Sequence, residues 1–246
     1  MAKVRSEKYA QYPLYLLGEM HKDKEGTLNK MLCFGIYYYA MRLEEYKDLN
    51  VQLEKASEFL DVSGLFSNDN IMTEVLAIQD VEGYDKSLPM FKVNKLLEFR
   101  NEKKKVKEID VYVAYLAIHS MLGEKNNWFL VTNEFLVARM MGLLSNKNLP
   151  EYLPPHLVNL RWRYNTSIKC RTLLDKLQLD WYVIKYAVKE HGYHGYHVTI
   201  KGKWTKKQLI SFVEGKTKKA RLRKLKEEEE KLRQEVLTEL TQKQPP

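Results

Sequence analysis

The sequence predicts a mainly α fold with a minor β component, in which a helical amino-terminal domain is followed by a module of helix-turn-helix or winged-helix type. Three observations lead to that expectation. Apolar residues recur at three- and four-residue spacing along most of the chain, short β-rich runs are confined to its second half, and positive charge is concentrated in one domain-sized segment.

A chain of 246 residues with 44% hydrophobic content can bury one large core or two modest ones without disulfides or a structural metal. Two domains are expected. The only cysteines, Cys33 and Cys170, are far apart and form no CxxC pair, so they read as free thiols of a reducing compartment. The apolar run PLYLLG near the start is too short for a signal peptide, and neither MLCFGIYYYAM nor WFLVTNEFLVARMMGLL reaches the roughly 20 residues that a bilayer demands. The expected location is cytoplasmic, with no membrane partner.

The net charge of +9 is unevenly spread. Residues 155 to 226 carry 18 Lys or Arg against 4 Asp or Glu, whereas residues 1 to 154 carry 20 against 22. Such a local excess attracts a polyanion and speeds encounter with it, which points to DNA ahead of RNA or an acidic protein.

Residues 1–105 read as a helical assembly or partner-binding domain. A polar lead-in with an aromatic patch precedes a long helix from Thr27, its N-cap, through a stripe of Leu28, Met31, Leu32, Ile36, Tyr39, Ala40 and Leu43. Further helices are expected over VQLEKASEFLDVSG, IMTEVLAIQ and MFKVNKLLEFRNEKKK, separated at Gly64 and by the Gly83 to Pro89 connection.

Residues 106–215 read as the basic module. EIDVYVAYLAIHSMLGEKNN reads as a helix closed by Gly123, with Ile109, Val113, Leu116, Ala117, Ser120 and Met121 on one narrow or apolar face; WFLVT reads as a small strand, and NEFLVARMMG as a short helix opened by Thr132 and closed by Gly142. After the turn-rich SNKNLPEYLPP comes HLVNLRWRYNTSIKCRTLLDKLQ, with a cap at Asn165, Thr166 or Ser167 and an apolar stripe of Ile168, Cys170, Leu173, Leu174 and Leu177. The connection is longer than the usual helix-turn-helix link. Residues 180 to 190 are read as a helix, because Trp181, Ile184, Ala187 and Val188 share a face; the alternative is a wing-like hairpin with YHVTI, which reads as a strand. Thr205 caps a helix that Gly215 ends or kinks. Residues 216–246 form a charged helix to Gln242 with a thin stripe of Leu222, Leu225, Leu232 and Val236, a candidate for homo-oligomer contact in which no continuous coiled-coil heptad is legible.

The candidate DNA-binding residues are Arg161, Arg163, Asn165, Thr166, Lys169, Arg171, Lys185, Lys189, Lys201, Lys203, Lys206 and Lys207. Lysine neutralises phosphate, while Arg and Asn can also span two acceptors or a donor–acceptor pair on a base edge. Asn165, Thr166, Lys169 and Arg171 lie at the start of the helix expected to approach the groove. Trp181, Tyr193, Tyr196 and Trp204 could stack on exposed bases, though packing is their commoner role.

The function expected is non-catalytic DNA binding, in transcription regulation, DNA replication or plasmid maintenance. Two alternatives come from other classes: a helical scaffold or adaptor for an acidic protein, and a metal-dependent nuclease using carboxylates such as Asp80, Glu82, Asp85, Glu108 and Asp110. No cofactor is expected, since neither GxxxxGK[ST] nor GxGxxG occurs. His191, His194 and His197 have a zinc-like composition without a supporting CxxC or HExxH, and read as part of a tyrosine-glycine turn.

Overall fold

A computed structural model describes residues 8–101, 106–121, 129–147, 149–176, 181–188, 193–200 and 205–242. The fold is mostly helical and divides into two compact units, Met1–Asn126 with Val131–Leu179, and Asn127–Leu130 with Asp180–Pro246.

The first unit is built on helix α2 (Lys24–Ala40), whose Leu28, Met31, Leu32, Cys33, Phe34 and Ile36 are all buried. A helix apolar on nearly every side belongs at the centre of a core. Around it pack α3 (Leu49–Phe59), α4 (Asn68–Gln79), α5 (Val93–Asn101) and α1 (Leu16–Glu19), together with strand β1 (Tyr9–Gln11). The expected long helix is shorter than its text suggests and starts earlier. Its cap is Asp23, whose carboxylate accepts from the Gly26 N–H at 3.0 Å, while Thr27 lies buried within the first turn. It stops at Ala40, so Leu43 falls in the following turn.

The lead-in is part of the core. Tyr12, Leu14, Leu16 and Leu17 are buried, and β1 pairs antiparallel with β2 (Met90–Lys92), with Ala10 opposite Phe91. Met90–Lys92 was expected to begin a helix; long-range pairing with β1 takes those three residues, and α5 follows at Val93.

A second helical group in the same unit centres on α6 (Val106–Met121), which packs against α7 (Asn133–Met140) and α9 (Ser167–Lys176). Val113, Leu116, Ala117 and Ile118 of α6 are buried. Helix α7 starts as the sequence indicates, with Thr132 Oγ1 accepting from the Phe135 N–H at 3.2 Å. It ends at Gly142, whose φ is +80°, and the Leu143 N–H returns to the Ala138 carbonyl at 2.9 Å. Helix α8 (Pro155–Arg163) begins with proline at its first position and is separated from α9 by three residues, so the basic segment is two helices and not one. Thr166 is the residue that caps α9, its hydroxyl accepting from the Lys169 N–H at 3.4 Å. Cys170 and Leu173 of the expected stripe are buried, but Ile168 faces outward.

In the second unit, β4 (Trp181–Val188) and β5 (Tyr193–Ile200) pair antiparallel over eight residues, from Trp181 opposite Ile200 to Val188 opposite Tyr193. The helix expected over residues 180 to 190 is therefore a strand. Its residues satisfy both a helical face and a β-rich run, and an eight-rung ladder with an equally β-rich neighbour settles the choice. With β3 (Phe129–Val131) the sheet order is β3–β5–β4. Helix α10 (Lys206–Gln242) opens with a capping box, in which Thr205 Oγ1 accepts from the Gln208 N–H at 3.2 Å and the Thr205 N–H donates to Gln208 Oε1 at 2.8 Å. It packs on β4 and β5, with Leu209 and Val213 buried, and runs unbroken through Gly215.

Both cysteines are free and buried. Burial pushes the Cys33 thiol up to about 12 and the Cys170 thiol to about 11. No helix among the described residues is long and apolar enough to cross a membrane.

Two glycines give opposite expectations. A Cβ on Gly142 would sit 2.6 Å from the Tyr15 carbonyl oxygen at a left-handed φ, so Gly142→Ala should destabilise the protein by about 2 kcal/mol or more. A Cβ on Gly215 would meet nothing within 4 Å on a helix, so Gly215→Ala should raise stability by up to about 1 kcal/mol. Urea unfolding of both variants checks the pair.

Candidate nucleic-acid interface

The corner between α8 and α9 is held from beneath by one carboxylate. Asp110, on α6, is completely buried. Arg163, the last residue of α8, grips it with two hydrogen bonds, Nε to Oδ2 at 3.1 Å and Nη2 to Oδ1 at 2.9 Å. The next residue, Tyr164, donates its hydroxyl to Oδ2 at 2.7 Å, and His21 places Nδ1 3.3 Å from Oδ1. The Tyr164 carbonyl in turn accepts from Cys170 Sγ at 3.4 Å. Three chain segments, just after α1, in α6 and at the α8–α9 corner, thus meet at one charge.

Burial alone would raise the Asp110 carboxyl, but the hydrogen bonds from His21, Tyr164 and Arg163 and the guanidinium charge outweigh it and hold the group below the usual carboxylate range. Burial, and then the hydrogen bond to Asp110, push the Tyr164 phenol well above its ordinary value. Asp110 is therefore an anion committed to structure.

At the corner Arg161, Asn165, Thr166 and Lys169 are exposed, as are Thr172 and Lys176 farther along α9. Lys169 Nζ reaches Asn165 Oδ1 at 3.3 Å and lies 5.2 Å from the centre of the Trp162 ring. Trp162 and Ile168 are 71% and 75% exposed. Two open grooves flank the corner. One, of about 300 Å³, includes Asn133, Glu134, Asn146, Arg161 and Asn165 in its lining; the other, of about 400 Å³, includes Val111, Trp162, Ile168, Lys169 and Lys176.

The chain matches no protein-family model, no curated protein and no solved structure in the comparisons made.

Of the candidate DNA-binding residues, Arg161, Asn165, Thr166 and Lys169 come together at the corner, and Arg163 is turned inward onto Asp110. Arg171 falls within α9 and Lys185 within β4, opposite Tyr196, and their side chains lie outside the described residues. Lys189, Lys201 and Lys203 lie outside them too, as do His191 and Trp204. Trp181, Tyr193, His194, Tyr196 and His197 are placed in the β4–β5 ladder by their backbone alone. Lys206 and Lys207 are exposed in the first turn of α10, in the second unit.

Among the described residues, no group of three or more His, Cys, Asp or Glu side chains is placed to hold a metal ion. His21 and Asp110, 89 positions apart, were the residues least visible as partners in the sequence. Asp110 falls three and four positions before Val113 and Ala114, on the face that is buried, and that register was the one signal available.

Removing the Asp110 charge should leave the inward guanidinium without its counter-ion, so Asp110→Asn is expected to cost about 3 kcal/mol at neutral pH. A carboxyl depressed in the folded state contributes stability above its unfolded value, about 3.9, and loses that contribution as pH falls through the folded value. Urea midpoints of the wild type should therefore drop more steeply below about pH 4 than those of Asp110→Asn.

Proposed function

We propose that the chain binds double-stranded DNA through a winged-helix-like module, with α9 as the helix that approaches the major groove. The observation that carries this reading is the α8–α9 corner, where Arg161, Asn165, Thr166 and Lys169 are exposed on a backbone anchored by Asp110 and Lys176 lines the same groove as Lys169. Cations of this kind neutralise phosphate, and the amide at the start of α9 has the donor and acceptor that adenine presents in the major groove.

Chain order supports the same reading. Helix α6, strand β3, helix α7, the α8–α9 pair and the β4–β5 hairpin follow one another, and the sheet order β3–β5–β4 sets the first strand beside the last. A winged-helix unit has that order, and α8 is then an added helix ahead of the third. The resemblance is one of fold-level pattern, and the function rests on the corner's chemistry. In this mechanism Arg163 acts from within by aiming the corner, while Arg161, Lys169 and Lys176 meet phosphates. Regulation of transcription, replication and plasmid maintenance are all roles that such binding serves.

A second reading, a scaffold for an acidic protein, draws on Trp162 and Ile168. Two large apolar side chains so exposed beside lysines would suit a protein surface that presents both carboxylates and apolar groups.

Fluorescence anisotropy with mixed-sequence duplexes of about 30 base pairs tests the leading reading. Affinity should fall at least roughly tenfold between about 50 and 200 mM salt, and Lys169→Ala with Lys176→Ala should weaken binding and reduce the salt slope by about two. An absence of duplex binding at the lower salt would sink it, and so would binding that the double substitution leaves unchanged.

A further inference from the structure

We propose that the outer part of α10 is a self-association rod, along which two copies of the chain pair antiparallel through the face that carries Leu222, Leu225, Leu232 and Val236. The proposal is independent of the DNA reading.

The helix has two unlike portions. Leu209 and Val213 seat its beginning on β4 and β5, but beyond Val213 no described side chain is buried. In that outer portion the four apolar residues named are between 51% and 62% exposed. Their separations of three, seven and four residues place them at alternating seam positions of a heptad pattern, with Glu229 in the one intervening position. The rod from Lys216 to Gln242 is roughly 40 Å long at about 1.5 Å per residue, enough for nearly four heptads.

Charge selects the occupant and its direction. Residues 216 to 226 hold seven Lys or Arg and no acid, while residues 227 to 242 hold six Glu and two basic residues. The halves meet where Arg223 pairs with Glu227 at 3.1 Å and Lys224 with Glu228 at 3.5 Å. Side by side in the same direction, two such helices would set cationic half against cationic half. Reversed, each cationic half faces an acidic one, and the surface complements itself about a two-fold axis. Pairing alternate seam positions in that direction brings Leu225 of one copy opposite Val236 of the other, and Glu229 opposite Leu232. The carboxylate in the seam limits affinity and makes the pairing reversible.

Light scattering of the full-length protein at about 50 μM should give twice the 29.2 kDa chain mass. Leu225→Asp with Leu232→Asp changes two exposed positions, so it should keep the helical circular dichroism and yield the single-chain mass; Glu229→Leu should tighten pairing by roughly tenfold. Direction is read from Leu225→Cys and Val236→Cys prepared separately. A disulfide should form between the two variants when mixed and not within either alone. A single-chain mass for the wild type at about 50 μM would overturn the proposal, as would a doubled mass that survives the two aspartates or cross-links of like with like.

Discussion

The buried charge of Asp110 is the constraint to which the α8–α9 corner answers. A carboxylate removed from water carries a large solvation cost, tolerable only when its oxygens are occupied by donors and a cation lies close. Here Arg163, Tyr164 and His21 supply them. Because two of these are consecutive residues at the end of α8, satisfying the charge also dictates where that helix stops and how α9 departs. The orientation of the exposed face follows from an electrostatic requirement inside the protein.

Much of the helical outline was legible because local chemistry marks it. Thr132 and Gly142 bracket α7, Thr205 opens α10, and Val113, Leu116 and Ala117 of the expected α6 face are buried, although Ile109, Ser120 and Met121 are only partly so. What sequence pattern missed depends on distant partners. The β1–β2 pairing joins residues about 80 positions apart, too short in each strand to show a period. Residues 181 to 188 satisfy a helical face and a β-rich run together, and their ladder with residues 193 to 200 decides between them. The Asp110 cluster is invisible for the same reason, since His21 and Arg163 approach it from opposite directions along the chain.

The candidate site was legible in composition more than in geometry. A concentration of Lys and Arg located the right segment, but it could not separate Arg161, which faces outward, from Arg163, two positions later and turned inward. Helical phase explains the difference, because side chains two apart on a helix point in divergent directions. Trp162 between them is exposed for a related reason: it lies on the side of α8 away from Leu157 and Leu160, which are buried.

The two thiols have a use that follows from their burial alone. Alkylating reagents attack the thiolate, and neither cysteine ionises appreciably near neutrality while it stays enclosed. Labelling must then wait for the surrounding helix to open. Cys33 lies in α2 and Cys170 in α9, so the two residues form a pair of internal clocks, one timing the loosening of the central helix and the other that of the helix that carries Lys169 and Lys176.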